Sequence, residues 1–297
     1  MARQLTLTQE KVLRDGITGD ASAFRWACQH TDRINIVAEG DSWFAYPKKH
    51  LLWGKRSNIL DWVARSVYRS KKVNLLRLAS NGDEAVAMLA GEQKMQLAEI
   101  LKSANDRVDL ILFSGGGNDV VGKWDMERLL RPYEPGFTAT DCIHTKRFQR
   151  KLLQIRLAYE ELIELRDEYA PSARIVTHTY DFLKPSKVSA RFVAGLVSVG
   201  PWIYPYLVEK NIPENLHQPV VIHLLTEMRL MLEKLAARPG NRRKLFVVNT
   251  QGTLRPGHGS DWKDEMHPTS SGFKRLSRLF YKEMRRLEPG LPAFTRK

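Results

Sequence analysis

The side chains in this sequence best suited to chemistry at a carbonyl are one serine, one glycine, one asparagine and one histidine. They stand in four short blocks: Gly40-Asp41-Ser42-Trp43, Ser80-Asn81-Gly82, Gly115-Gly116-Gly117-Asn118-Asp119 and Asp264-Glu265-Met266-His267-Pro268. A serine hydroxyl is a weak nucleophile at neutral pH and needs a base to take its proton as it attacks. Imidazole is the side chain that exchanges protons near neutrality, so His267 is the candidate base for Ser42. Asp264 lies three residues before His267. At that spacing its carboxylate can meet the imidazole Nδ1–H, fix the tautomer and leave Nε2 for the serine. Attack on an ester creates an oxyanion, which needs donors fixed in advance. The backbone N–H groups of Ser42 and Gly82 and the side-chain amide of Asn118 would supply three.

Each block also has a plain structural reading. Asp264 is a natural helix cap before Pro268, Gly82 an ordinary turn glycine, and Gly115 to Gly117 a pliant strand-to-helix turn. The weight comes from all four in this order, since such sites are recognised by roles together. Competing motifs fail. The run from Gly115 lacks the third glycine of a dinucleotide fingerprint, and no phosphate-binding Gly-Lys-Ser/Thr occurs. Residues 40 to 44 read Gly-Asp-Ser-Trp-Phe, not G-x-S-x-G. No His or Cys cluster has metal-ligand spacing, so neither metal nor cofactor is expected. His178, near the end of a strand-like run, reads as a hydrogen-bonded structural histidine ahead of a pocket residue. Asp41 and Asp119 read as braces that accept bonds from loop N–H groups, while Glu39, Asp41 and Asp119 form no defined ligand set.

The elements that must hold these blocks alternate. Apolar runs of strand length occupy residues 34–38, 73–79, 108–114, 174–179 and 245–249, and helical patterns occupy 83–103, 145–169, 219–237 and 270–287. Asn81 or Asp83 would cap the first helix and Thr145 the second. This is an α/β layer pattern: five parallel strands with right-handed helical crossovers. Ligands bind such sheets outside the carboxyl ends of the strands, where Ser42, Gly82 and Asn118 fall. Residues 53–68 and 124–141 should wall the site, and 181–216 forms a further insert.

The quartet resembles the SGNH hydrolases, or GDSL esterase/lipase superfamily, whose four blocks contribute Ser, Gly, Asn and His. The matches here are Ser42 in G-D-S, Gly82 in S-N-G, Asn118 in G-G-N-D and His267 in D-x-x-H-P. The resemblance runs over roughly residues 34–275. It departs at Trp43, where an aliphatic residue is usual, and at Asp83-Glu84, where small residues are. It implies a three-layer α/β/α, flavodoxin-like fold with strand order 2-1-3-4-5. It also implies a serine esterase or lipase with a Ser42–His267–Asp264 triad and an oxyanion hole of Ser42, Gly82 and Asn118.

Composition sets the outer bounds. At 297 residues and 43% hydrophobic, the chain can bury one large core, so a single domain over residues 1–297 is expected. Residues 1–16 offer no apolar signal-peptide core, and Cys28 and Cys142 are too few for a disulfide framework, which favours the cytoplasm. The net charge of +14 concentrates in residues 145–156 and after Lys274. That charge fits an anionic surface partner, or simply two solvated helix faces. Nucleic-acid motifs and aromatic interleaving are both missing, which argues against a nucleic-acid partner. Residues 192–208 carry no charge but include Pro201 and Pro205. Short of the roughly 20 residues that span a bilayer, they read as an apolar wall or lid beside the site. The substrate expected is a small-molecule or lipid-like ester. The alternative is a non-catalytic scaffold that uses its basic surface to hold an anionic partner.

Overall fold

The computed structural model describes residues 5–46, 57–80, 82–192 and 197–295. Eight strands occur among them: β1 (Ile17–Thr18), β2 (Ile34–Gly40), β3 (Val73–Arg77), β4 (Leu110–Ser114), β5 (Arg174–His178), β6 (Ala190–Phe192), β7 (Val197–Val199) and β8 (Leu245–Val248). Six form one sheet in the order β1-β3-β2-β4-β5-β8, with every pairing parallel. β4, Leu-Ile-Leu-Phe-Ser, is buried at every position, as befits a parallel strand covered by helices on both faces.

The five strands read from the sequence are β2, β3, β4, β5 and β8, and they lie in the order the resemblance implied. The sheet nevertheless has six strands. The extra one, β1, pairs Ile17 with Leu75 and Thr18 with Leu76 at the edge, and two residues are too few to show a period. The helices Thr145–Tyr169 and Ser270–Leu287 keep their expected bounds. The expected helix over 83–103 is instead two, Ala85–Met88 and Gly91–Ser103, separated where Gly91 takes φ +54°. Glu84 and His144 occupy the N-cap positions where Asp83 and Thr145 were expected, and neither makes a side-chain cap bond. Asn81, the other candidate cap, lies outside the described residues. The helix expected over 219–237 starts earlier, as Glu214–Ala236.

Three further helices of nine or ten residues escaped the periodic reading, Leu7–Asp15, Ala21–His30 and Ile59–Val67, as did four shorter ones among the described residues. Ile59–Val67 belongs to the expected 53–68 wall, of which residues 53–56 lie outside the described residues. It packs on Ser270–Leu287 and on a short helix, Ser42–Ala45. No helix among the described residues is long and apolar enough to cross a membrane.

Candidate active site

The site begins where β2 ends. A Cβ on Gly40 would fall 2.7 Å from both the Cβ and the carbonyl oxygen of Ser114. Glycine therefore lets the ends of β2 and β4 close together. Asp41 then turns the chain: its N–H donates to the Ser114 carbonyl at 2.9 Å, and its carboxylate accepts from Trp43 N–H at 2.9 Å. That cap starts the helix Ser42–Ala45 with Ser42 in its first position, at the carboxyl end of a central strand. The chain runs from β2 to β3 on one side and later returns to β4 on the other, so this is the crevice where the strand order reverses.

The loop before Ser270–Leu287 brings the other end of the chain to Ser42. The Ser42 hydroxyl lies 2.9 Å from His267 Nε2, and His267 Nδ1 lies 2.8 Å from Asp264 Oδ1. A carboxylate only accepts, so Nδ1 carries the proton and Nε2 is free to accept from the serine. Asp264 Oδ1 also accepts from the backbone N–H groups of Met266 (3.0 Å) and His267 (2.8 Å), and Oδ2 from the Tyr46 hydroxyl (2.8 Å). Burial by itself would raise the Asp264 carboxyl. The His267 ring and these other donors outweigh it and hold the group below its ordinary range. Ser42 and His267 are only 4% and 5% exposed, so little water competes for the serine–imidazole bond.

Asn118 and Ser42 line one small cavity. The Asn118 Nδ2 group donates one bond to the Asp83 carbonyl at 2.9 Å, and an amide nitrogen has a second hydrogen to give. Gly82, one residue before Asp83, takes φ +94° in the turn after β3, a conformation that favours glycine. It lies outside that cavity's lining. Asp119 ties the same two loops together by accepting from Ala85 N–H at 2.7 Å and Val86 N–H at 3.2 Å. Asp41 and Asp119 thus brace the loops, as read from the sequence.

A second Ser/His/Asp grouping lies beneath the first. The Ser114 hydroxyl sits 2.7 Å from Asp41 Oδ1 and 2.9 Å from His178 Nε2, and Tyr180 donates to Asp41 Oδ2. The residue types are those of a triad, but the connection differs: here the serine stands between the acid and the imidazole. Ser114 is fully buried. Burial pushes the His178 imidazole down to about 4 and the Asp41 carboxyl up to about 7. A ring kept neutral in this way braces the strand ends, the structural role read for His178 from the sequence.

Sequence reasoning missed two residues at the site. Tyr46 lies one helical turn beyond Ser42, a spacing that could have flagged it. Its ring centroid is 4.1 Å from that of His267, and Lys263 Nζ donates to its hydroxyl at 2.9 Å. Glu265 is 1% exposed. Its carboxylate accepts from the backbone N–H groups of Ser186 (3.2 Å), Trp202 (2.5 Å), Ile203 (2.9 Å) and Tyr204 (2.8 Å). The loop that carries His267 thereby holds the 181–216 insert. Trp202, in the 192–208 segment expected to wall the site, presents its ring to His267 edge to face, with centroids 5.5 Å apart. Of the apolar segment 192–208, residues 193–196 lie outside the described residues. Its later part both touches the site through Trp202 and buries Ile203 and Leu207 in the core.

No protein-family model matches the sequence, and no curated protein does. Solved structures do. An extracellular lipase from Streptomyces rimosus superposes with a TM-score of 0.50 at 16% identity, over 84% of this chain and 99% of that one. A lipase, Lip_vut3, from a goat rumen metagenome gives 0.52 at 14% identity, over 89% and 99%. A protein described as a GDSL-like lipase from Parabacteroides merdae gives 0.50 at 14%, over 87% and 98%. At such identities a likeness speaks for backbone architecture and not for substrate. Over most of its length, the chain has the fold of the GDSL-like lipases, the SGNH hydrolase architecture.

Proposed function

We propose that the protein is a serine hydrolase that cleaves carboxylic esters through an acyl-enzyme. The observation that supports this most directly is the unbroken chain of contacts from Ser42 through His267 to Asp264, at 2.9 and 2.8 Å. Ser42 Oγ attacks the ester carbonyl as its proton passes to His267 Nε2, and Asp264 stabilises the imidazolium. The oxyanion is met by the N–H groups of Ser42 and Gly82 and by the free hydrogen of Asn118 Nδ2. The carbon–oxygen bond to the alcohol then breaks, and His267 returns the proton to the departing oxygen. Water, activated by the same imidazole, releases the acid and restores Ser42.

A second reading makes Ser114 the nucleophile, since it contacts both His178 and Asp41. Its full burial and the position of the serine in that network favour Ser42 instead. The test is labelling with a fluorophosphonate probe, alongside 4-nitrophenyl acetate hydrolysis, in wild type, Ser42→Ala and Ser114→Ala. Loss of both signals in folded Ser42→Ala alone supports the proposal. Retention there with loss in Ser114→Ala transfers the role to Ser114. Absence of labelling and turnover in wild type supports a non-catalytic scaffold.

A further inference from the structure

Resting on the ester-hydrolase reading, we propose that the acyl side of the site is a narrow pocket that admits an acetyl-sized group and rejects long chains. The cavity beside Ser42 offers about 10 Å³, room for about one water-sized body. Ser42 and Asn118 form its polar end, and Trp43, Val121, Leu183, Leu225 and Met266 are among its apolar walls. In an ester under attack by Ser42, the oxyanion faces Asn118 and the departing alcohol must face His267, which protonates it. The cavity is bounded by the serine and the asparagine and not by the histidine. It therefore receives the acyl substituent.

Its size is set by residues that cannot yield cheaply. Trp43 is 3% exposed and wedged among four aromatic rings. It stacks on His178 with centroids 5.4 Å apart and meets Tyr180, Phe273 and Trp262 edge-on at 5.0, 5.8 and 6.4 Å. Tyr180 is itself tied to Asp41, and a Cβ on Gly117 would fall 2.6 Å from its ring. Val121, Leu183 and Leu225 are each buried. Close-packed walls of this kind admit extra methylenes only by displacing core side chains. The lipid-like acyl chain expected from the uncharged 192–208 segment has no such room at this wall.

The test is kcat/KM for 4-nitrophenyl acetate, butyrate, hexanoate and octanoate with the full chain, and with Leu225→Ala and Leu183→Ala, which shorten two different walls. Wild type should favour acetate, falling about tenfold or more by hexanoate. At least one variant should move the hexanoate-to-acetate ratio up by about tenfold, a ratio that partial unfolding leaves unchanged. A wild-type profile that is flat or rises toward octanoate, with Ser42 still labelled by the phosphonate, overturns the pocket and leaves the esterase reading standing. No turnover on any ester and no labelling of Ser42 overturns both.

Discussion

At Asn118, one amide hydrogen is spent on the Asp83 carbonyl, which fixes the direction of the other before substrate arrives. A donor set in advance acts on the charge that develops in the transition state more than on the neutral ester. Asn118→Ala should accordingly lower kcat by roughly 10²–10³ with little change in KM; a large KM rise at constant kcat would make it an ordinary binding residue. Tyr46 acts one step further back. Its hydroxyl donates to Asp264 Oδ2 at 2.8 Å, and its ring lies against His267. Tyr46→Phe keeps the ring and deletes a bond to a charged group, a change on the order of 1.5–3 kcal/mol. The expected result is a kcat at least about tenfold lower at unchanged KM, beside the lower melting temperature that loss of the buried bond brings. A lower melting temperature with kcat unchanged would reduce Tyr46 to a packing residue.

Among the elements, the insert after β5 is joined to the His267 loop by a buried carboxylate, that of Glu265. The four N–H groups that Glu265 accepts belong to residues 186 and 202–204. In Glu265→Gln, an NH₂ group must face N–H donors, so at least two bonds are lost and a buried repulsion appears. Amides at 202–204 should then exchange faster by a factor corresponding to roughly 2–3 kcal/mol, while those of β2 and β4 keep their protection. Because Trp202 stands against His267, hydrolysis should fall as well. Unchanged exchange at 202–204 would show that core contacts of Ile203 and Leu207 hold the segment without the carboxylate.

Across the whole molecule, buried acids beneath the site make stability depend on pH. Glu39, in β2, is 5% exposed, and burial raises its carboxyl to about 7 despite a bond from Gly40 N–H. The folded protein therefore holds this proton more tightly than the unfolded chain. Between about pH 4.5 and 7 the folded state binds more protons, so this group's contribution to stability declines as pH rises. Once ionised, a carboxyl raised that far weakens folding by about 3 kcal/mol. Glu39→Gln should match wild type in urea unfolding near pH 4.5 and exceed it near pH 8. A gap that stays constant between those pH values would refute the assignment. The excess positive charge is meanwhile partly engaged locally: Lys151 pairs with Asp125 at 2.7 Å, Arg156 with Glu160 at 3.3 Å and Arg286 with Glu283 at 2.6 Å. That pattern accords with solvated helix faces.

Signals confined to a few neighbouring residues were legible in the chain itself. Runs such as 34–38 and 245–249 announced buried parallel strands, and the helices Thr145–Tyr169 and Ser270–Leu287 could be bounded to the residue. Asp264 and His267 could be paired because three residues separate them. What only the folded chain decided are contacts between segments far apart in sequence. The Ser42–His267 bond joins residues 225 apart, and the Tyr46–Asp264 bond residues 218 apart. Resemblance named the first pair. Spacing from Ser42 could at most bring Tyr46 near the site, and nothing in the sequence joined it to Asp264 or pointed to the reach of Glu265 or to the tightness of the acyl wall. Periodicity and capping record how a residue sits against its own helix or strand. Cavity size and long-range side-chain bonds depend on how closely separate elements pack, and no local pattern carries that information.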